Sequence, residues 1–418
     1  MQRVVVTGIG ALTPIGNSVS AYLAGLKAGQ SGAQPITQFD ATNFKTKFAC
    51  ELKGFVAEEV LDRKEIRRLD RFCILSLAAA KEALEMAGLA GEGAIDFNRD
   101  RAGSIWASGI GGLTTLEGEI IDFAGGSGTP RFNPFMIPRM IANMGAGHIS
   151  MKYQLRGPSY ATVSACASAG HALGAGADDI RLGRADIMVV GGSEAVINGT
   201  AIGGFNSMKA LSTRNDDPAT ASRPYDAERE GFVLGEGAGA LVLESLEHAK
   251  ARGANILAEV AGYAASSDAY HISAPHPEGL GARNVMANAI KYAGLTPADI
   301  DYINTHGTST PLGDVAELKA IQLAFGEDAY ELNISSTKSM TGHLLGAAAA
   351  IEAIACILAI QHSFIPPTIN HFNDDPEIDP KLNLTFNQAQ EKEVSIALSN
   401  TFGFGGHNSA AIFRRFRD

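Results

Sequence analysis

The sequence predicts an α/β protein whose sheet is covered on both faces. Two patterns carry this. Short β-rich runs alternate with helical stretches from one end of the chain to the other, and those runs are continuously apolar instead of alternating apolar with polar. Composition adds a third: 45% hydrophobic and 19% charged residues among 418 suit a folded protein and are too apolar for disorder. At a prior of roughly 150 residues per domain, the length gives two or three domains' worth of core.

Strands are expected at 4–7, 104–107, 161–164, 187–190, 239–243, 256–260, 302–305, 332–335 and 395–398, each a run of apolar and β-branched or small residues. Helical patterns fill intervals between them at 63–86, 167–182, 280–293, 315–325 and 344–361. The 47 glycines exceed the roughly 7% of average usage and cluster beside small residues, which predicts tight turns and close backbone approach. No Pro/Ser-rich linker or charge block divides the chain. A faint internal symmetry does: strand, turn, small-residue helix and apolar run occur around Cys166 and again around His343. Two halves, 1–255 and 256–418, with a site between them, are therefore expected.

Thirty-four Lys+Arg against 45 Asp+Glu leave a net charge of −11, which argues against general binding to nucleic acid or anionic membranes. Four cysteines without a CxxC pair suggest neither a disulfide framework nor a zinc site, and free thiols fit a reducing compartment. The N-terminus reads as a strand, not a secretory or transit segment. The longest apolar run, 344–360, contains Glu352 and reads as a buried helix, so a cytoplasmic protein is expected.

Several chemistries lack their parts. Gly8-Ile9-Gly10 invites a dinucleotide reading, but Thr13 and Pro14 stand where the third glycine would be, so a tight strand-to-helix turn is expected there. There is no phosphate loop, no HExxH and no GxSxG.

Cys166, in Ser164-Ala165-Cys166-Ala167-Ser168, sits where an apolar run meets a helical stretch. A helix start favours a thiolate, and its N–H groups can hold an oxyanion. A buried structural cysteine is the competing reading of this residue alone. His306 (Asn304-Thr305-His306-Gly307) and His343 (Met340-Thr341-Gly342-His343) each follow a strand and are bracketed by Gly and Thr, a placement suited to donating to a carbonyl or moving protons. Lys338 and Glu352 suggest a buried charge pair. Glu352 lies about two and a half helical turns beyond His343, pointing elsewhere, so a supporting role suits it. The run Phe402-Gly403-Phe404-Gly405-Gly406 suits a mobile wall of an apolar pocket or a packed turn.

Together these segments resemble the β-ketoacyl-acyl carrier protein synthases, condensing enzymes of the thiolase superfamily, essentially end to end. The resemblance implies a duplicated α/β/α/β/α layered sandwich, a homodimer, acyl carrier protein as partner, and no metal or organic cofactor. Cys166 would carry the acyl chain, His306 and His343 would bind the malonyl thioester, and the N–H groups of Cys166 and Phe404 would form an oxyanion hole. Lys338 and Glu352 would support them. Thr308 and Thr310 would line the phosphopantetheine tunnel, while Ile110 and Phe402 would lie at the acyl pocket and Phe404 at its gate. The Cys–His–His set and Ser108-Gly109-Ile110-Gly111-Gly112 are most similar to the elongating type II synthases, with His407 standing where many members have Thr. Lys64, Arg67, Arg68, Lys209 and Arg131 match carrier-docking positions, against the alternative of a solvated helix face. Other readings are a type I or polyketide ketosynthase, a thiolase, and a non-catalytic chain-length-factor partner. The thiolase reading wants a second cysteine near 404–406, and the last would lack Cys166.

Overall fold

The computed structural model describes residues 2–126 and 128–418. Ten strands form its main sheet: β1 (Val4–Leu12), β2 (Ala102–Ala107), β3 (Ser159–Thr162), β4 (Ile187–Glu194), β5 (Gly237–Ser245), β6 (Ala258–Ser267), β7 (Tyr302–Asn304), β8 (Asn333–Ser335), β9 (Ile396–Gly403) and β10 (His407–Arg414). Their order is β8-β7-β9-β10-β6-β1-β5-β4-β2-β3. Each half repeats one plan. In the first, β3, β2 and β4 run parallel, and β5 and then β1 add antiparallel. In the second, β8, β7 and β9 run parallel, and β10 and then β6 add antiparallel. The halves join where β1 meets β6 through two residue pairs, Val5 with Glu259 and Val6 with Ala258.

Side chains along each strand alternate between layers, as the period of two requires. Leu241 and Leu243 of β5 enter the central core, whereas Ala240 and Val242 face the outer core. Helix α1 (Arg71–Met86) covers that outer face. Helices α2 (Ser168–Arg181) and α5 (Ala348–His362) lie in the central layer and pack on strands of both halves. Helices α3 (Leu280–Tyr292) and α4 (Pro311–Phe325) close the far side. This is the five-layered α/β/α/β/α arrangement. From Ala348 to Ile360 every residue of α5 is buried. The segment Leu345–His362 is apolar and long enough to cross a membrane by length and composition alone, but 89% of it is buried inside the protein.

Two expectations need correction, and one strand went unread. Gly8 and Gly10 do not make a strand-to-helix turn; they lie within β1, which bulges between Val6 and Gly8. A Cβ on either would sit 2.1 Å from a carbonyl oxygen of α1, of Ala83 or Ala79, so these glycines let a strand touch a helix. The helix expected over 63–86 is two, Arg63–Ile66 and α1, because Asp70 caps a new start by accepting from the N–H of Phe72. The chain after Gly406 continues as strand β10, which the glycine-rich turn before it concealed.

Candidate active site

Cys166 sits between β3 and α2, on a turn held in an unusual shape. Ala165 has φ 49°, a left-handed conformation that costs about 1 kcal/mol or more in a residue with a Cβ. Ser168 offsets this: its hydroxyl accepts from the Ser164 N–H at 2.8 Å and donates to the Ala165 carbonyl at 2.6 Å. Ser164 in turn is hydrogen-bonded to His171 Nδ1 at 2.6 Å. The sulfur ends 3.1 Å from His343 Nε2.

His343 comes from the other half. Its backbone N–H donates to Val233 at 2.7 Å and its carbonyl accepts from Gly235 at 3.0 Å, pinning the segment to the chain before β5. Its ring meets those of Phe232 and His306 in T-shaped pairs, with centroids 5.4 and 5.3 Å away. His306 follows β7, and Phe402 lies 5.7 Å from it. Sequence reasoning missed the group that fixes His306. Glu317 on α4 is buried and accepts the N–H groups of His306 and Gly307 at 2.8 and 2.7 Å. Burial lifts this carboxyl to about 7, against the pull of those two N–H groups and Lys338. A hint existed in the sequence: Asp314 and Glu317 are spaced i, i+3 on the helix that follows the Thr-rich turn.

Lys338 and Glu352 form the expected buried ion pair, each 1% exposed. Burial raises Glu352, and Lys338 opposes that. Burial also holds both imidazoles well below their ordinary range, with the Lys338 charge acting in the same direction, so they are neutral near pH 7. The thiol departs from expectation: burial drives Cys166 up to about 12, outweighing Lys338 and the backbone N–H groups of Phe404 and Cys166 that favour the thiolate. The resting pair is thus a thiol beside a neutral imidazole.

A cavity of about 570 Å³ opens onto these three side chains. Ile110, Thr308, Thr310, Phe402, Phe404 and Lys209 all line it, and the hydroxyls of Thr308 and Thr310 touch at 2.9 Å. The wall at Phe404 turns through Gly405 (φ 84°) and Gly406 (φ 73°), conformations that favour glycine, and the Gly405 N–H donates to Ile272 at 2.7 Å. His407 is exposed beyond them, 6.5 Å from the His171 ring. Lys64, Arg67, Arg68 and Arg131 are exposed but do not line the cavity. Arg68 stacks its guanidinium on Phe135 at 5.4 Å.

Among the described residues, Cys166, His306 and His343 are the set whose donor atoms, within 4.8 Å of one another, could share a metal ion. Metal-bound histidines usually donate their second nitrogen to a carboxylate or carbonyl. Here Nδ1 of both imidazoles is buried without a partner. A thiol facing two neutral hydrogen-bonding rings describes the trio better.

Comparison with known proteins follows the same lines. The chain matches the family Beta-ketoacyl synthase, N-terminal domain, over residues 1–249, and Beta-ketoacyl synthase, C-terminal domain, over 257–372. It is 48% identical to 3-oxoacyl-[acyl-carrier-protein] synthase 2 of Synechocystis sp., with 100% of this chain and 99% of the relative covered. Among solved structures, the ishigamide ketosynthase/chain length factor superposes with a TM-score of 0.92 at 37% identity, covering 100% of both chains. A type II polyketide acyl-carrier protein in complex with its ketosynthase gives 0.90 at 33% identity, again covering 100% of both.

Proposed function

The chain belongs to the β-ketoacyl synthase family, and on that footing we propose that it is an elongating 3-oxoacyl-[acyl-carrier-protein] synthase of type II. The observation that carries the reading is the Cys166 sulfur 3.1 Å from His343 Nε2, with His306 beside it, in one apolar-walled cavity.

Cys166 attacks the thioester of an acyl carrier protein. The acyl–sulfur bond to the carrier breaks, an acyl–Cys166 bond forms, and the thiol proton leaves with the carrier thiol. Malonyl-carrier protein then enters along Thr308 and Thr310. Its carboxylate departs as CO₂, and His306 and His343 hold the enolate oxygen by hydrogen bonds, which neutral imidazoles can donate. The enolate carbon attacks the acyl thioester, whose oxyanion is held by the N–H groups of Cys166 and Phe404. Collapse expels the Cys166 sulfur, which takes up a proton, and releases a 3-oxoacyl chain two carbons longer on the carrier. Lys338 and Glu352 support the site, and Ile110 and Phe402 wall the acyl pocket.

Acyl carrier protein is the macromolecular partner in this reading. Lys209, at the cavity, and the exposed Lys64, Arg67, Arg68 and Arg131 offer its acidic surface a cationic approach. We also place the boundary between halves near residue 255, supported by the repeated strand plan, and assign the protein to the cytoplasm as a homodimer. Strand β3 supports the dimer: it is paired on one side only, with Tyr160 and Val163 exposed along and beyond it. Replacing Ala161, whose N–H faces the open edge of β3, by Pro should shift the particle to monomer size in analytical ultracentrifugation.

A polyketide ketosynthase would use the same trio; the higher identity to the Synechocystis relative favours fatty-acid elongation. The test is intact mass after mixing the protein with long-chain acyl-carrier protein, beside Cys166→Ala. Acyl mass should appear on the unsubstituted protein alone and be discharged as 3-oxoacyl product when malonyl-carrier protein is added. No acyl transfer to folded protein would overturn the proposal.

A further inference from the structure

Glu194, at the end of β4, is a fully buried carboxylate with no salt-bridge partner among the described residues. Four donors satisfy it instead. Oε1 accepts the Ser108 hydroxyl at 2.9 Å and the Ile110 N–H at 3.2 Å, and Oε2 accepts the N–H groups of Gly109 at 2.7 Å and Gly346 at 2.9 Å. Three of these belong to the turn that presents Ile110 to the cavity. The fourth belongs to the segment that follows His343 by three residues. The two segments are in backbone contact, since a Cβ on Gly346 would lie 2.1 Å from the Gly109 nitrogen. Ile110 itself is 40% exposed and lines the cavity.

From this geometry we propose that Glu194 is a positioning residue that fixes the Ile110 turn against the His343 segment and thereby sets which acyl chain lengths the pocket accepts. The proposal rests on the reading that this cavity takes an acyl chain. A carboxylate bridging two segments through four donors resists displacement of either one, because each donor moved away leaves buried charge less satisfied. An acyl chain that must push Ile110 aside works against this anchor, and a chain too short to reach Ile110 does not.

Glutamine at this position makes the effect selective. If its amide nitrogen replaced Oε2 it would face two N–H donors, Gly109 and Gly346. Replacing Oε1 instead, it meets only one obligate donor, because the Ser108 hydroxyl can turn to accept. Glu194→Gln therefore keeps the Gly109 and Gly346 bonds and forfeits the Ile110 bond. The measurement is the single-turnover rate of acyl transfer to Cys166 from hexanoyl- and tetradecanoyl-carrier protein, followed by intact mass in unsubstituted protein, Glu194→Gln, Ile110→Ala and the double variant.

The tetradecanoyl-to-hexanoyl ratio should rise about fivefold in Glu194→Gln, the worth of one backbone hydrogen bond. The same substitution should change that ratio less than about twofold in the Ile110→Ala background, since coupled sites are non-additive. A general loss of stability would slow both chains and would act alike in both backgrounds. Ser108→Ala, which removes another donor to Oε1, should raise the ratio too and serves if the glutamine variant does not fold. An unchanged ratio in a folded variant, or an equal change in both backgrounds, overturns the assignment while the functional reading stands. Unsubstituted protein that takes up neither chain overturns both.

Discussion

Removing the charge of Lys338 tests the buried ion pair most directly. In Lys338→Met the side chain keeps its length, and Glu352 is left without a cation in a site where both partners are 1% exposed. Stranding one member of a buried pair costs about 3–5 kcal/mol. The carboxyl can escape by binding a proton, and the price is fixed by solution chemistry. Each pH unit above its ordinary value of 4.5 costs about 1.4 kcal/mol, so neutralising it costs about 3.4 kcal/mol at pH 7 and about 1.4 kcal/mol at pH 5.5. The sign follows: a carboxyl raised in the folded state has its stability at low pH and loses it as pH rises towards the folded value. The variant should therefore be about 3 kcal/mol less stable than its parent at pH 7 and recover about 2 kcal/mol of that deficit by pH 5.5. The double variant Lys338→Met/Glu352→Gln should lose less than the single one at pH 7 and show little of this pH dependence. Urea unfolding at matched protein concentration, at both pH values, reads all three proteins. A deficit that is flat with pH, or that deepens on acidification, would refute the reasoning.

Alkylation of Cys166 by iodoacetamide should rise about tenfold per pH unit from pH 7 to 10 without a plateau, because a thiol at about 12 is far from half-ionised there. A plateau near pH 8, scored by mass on Cys166, would contradict it. Glu317→Gln replaces a carboxylate that accepts the His306 and Gly307 N–H groups with an amide that can accept only one of them well. Decarboxylation of malonyl-carrier protein should fall by about tenfold or more, assayed as CO₂ release. Gly10→Ala drives a methyl group to 2.1 Å from the Ala79 carbonyl oxygen, and soluble protein should melt far earlier or fail to accumulate, at a cost of about 3 kcal/mol or more.

The parts of the site that could be read from sequence are those whose neighbours in the chain are also their neighbours in space. Cys166, His306 and His343 each sit in a short stretch of Gly, Ser, Thr and Ala, because a reacting side chain at a strand end needs a tight turn around it. Glu317 stands in a helix of ordinary composition, and Glu194 ends the Gly-rich strand run Gly191-Gly192-Ser193 with no strand-end histidine or thiol to mark it. Each acts by accepting N–H groups from segments 10 to 152 residues away along the chain. That the sheet is covered on both faces was legible from continuous apolar strands, whereas Gly8 and Gly10 misled because a glycine placed for helix contact looks the same as one placed for a turn. The thiol's high pKa was illegible for a related reason. A helix start is visible in sequence, but the depth of burial that outweighs it is a property of the assembled layers.

The division of labour between the halves also bears on how the protein is made. Cys166 is translated in the first half and His306 and His343 in the second, and α5, which lies against α2, begins at Ala348. At about 5–20 residues per second, on the order of 5–20 seconds separate completion of the first half from the appearance of α5 at the ribosome. Through that interval α2 lies on the inner face of the first half without α5 beside it. A nascent chain stalled between the halves would thus be inert and would present bare apolar surface, making it a natural client for a chaperone.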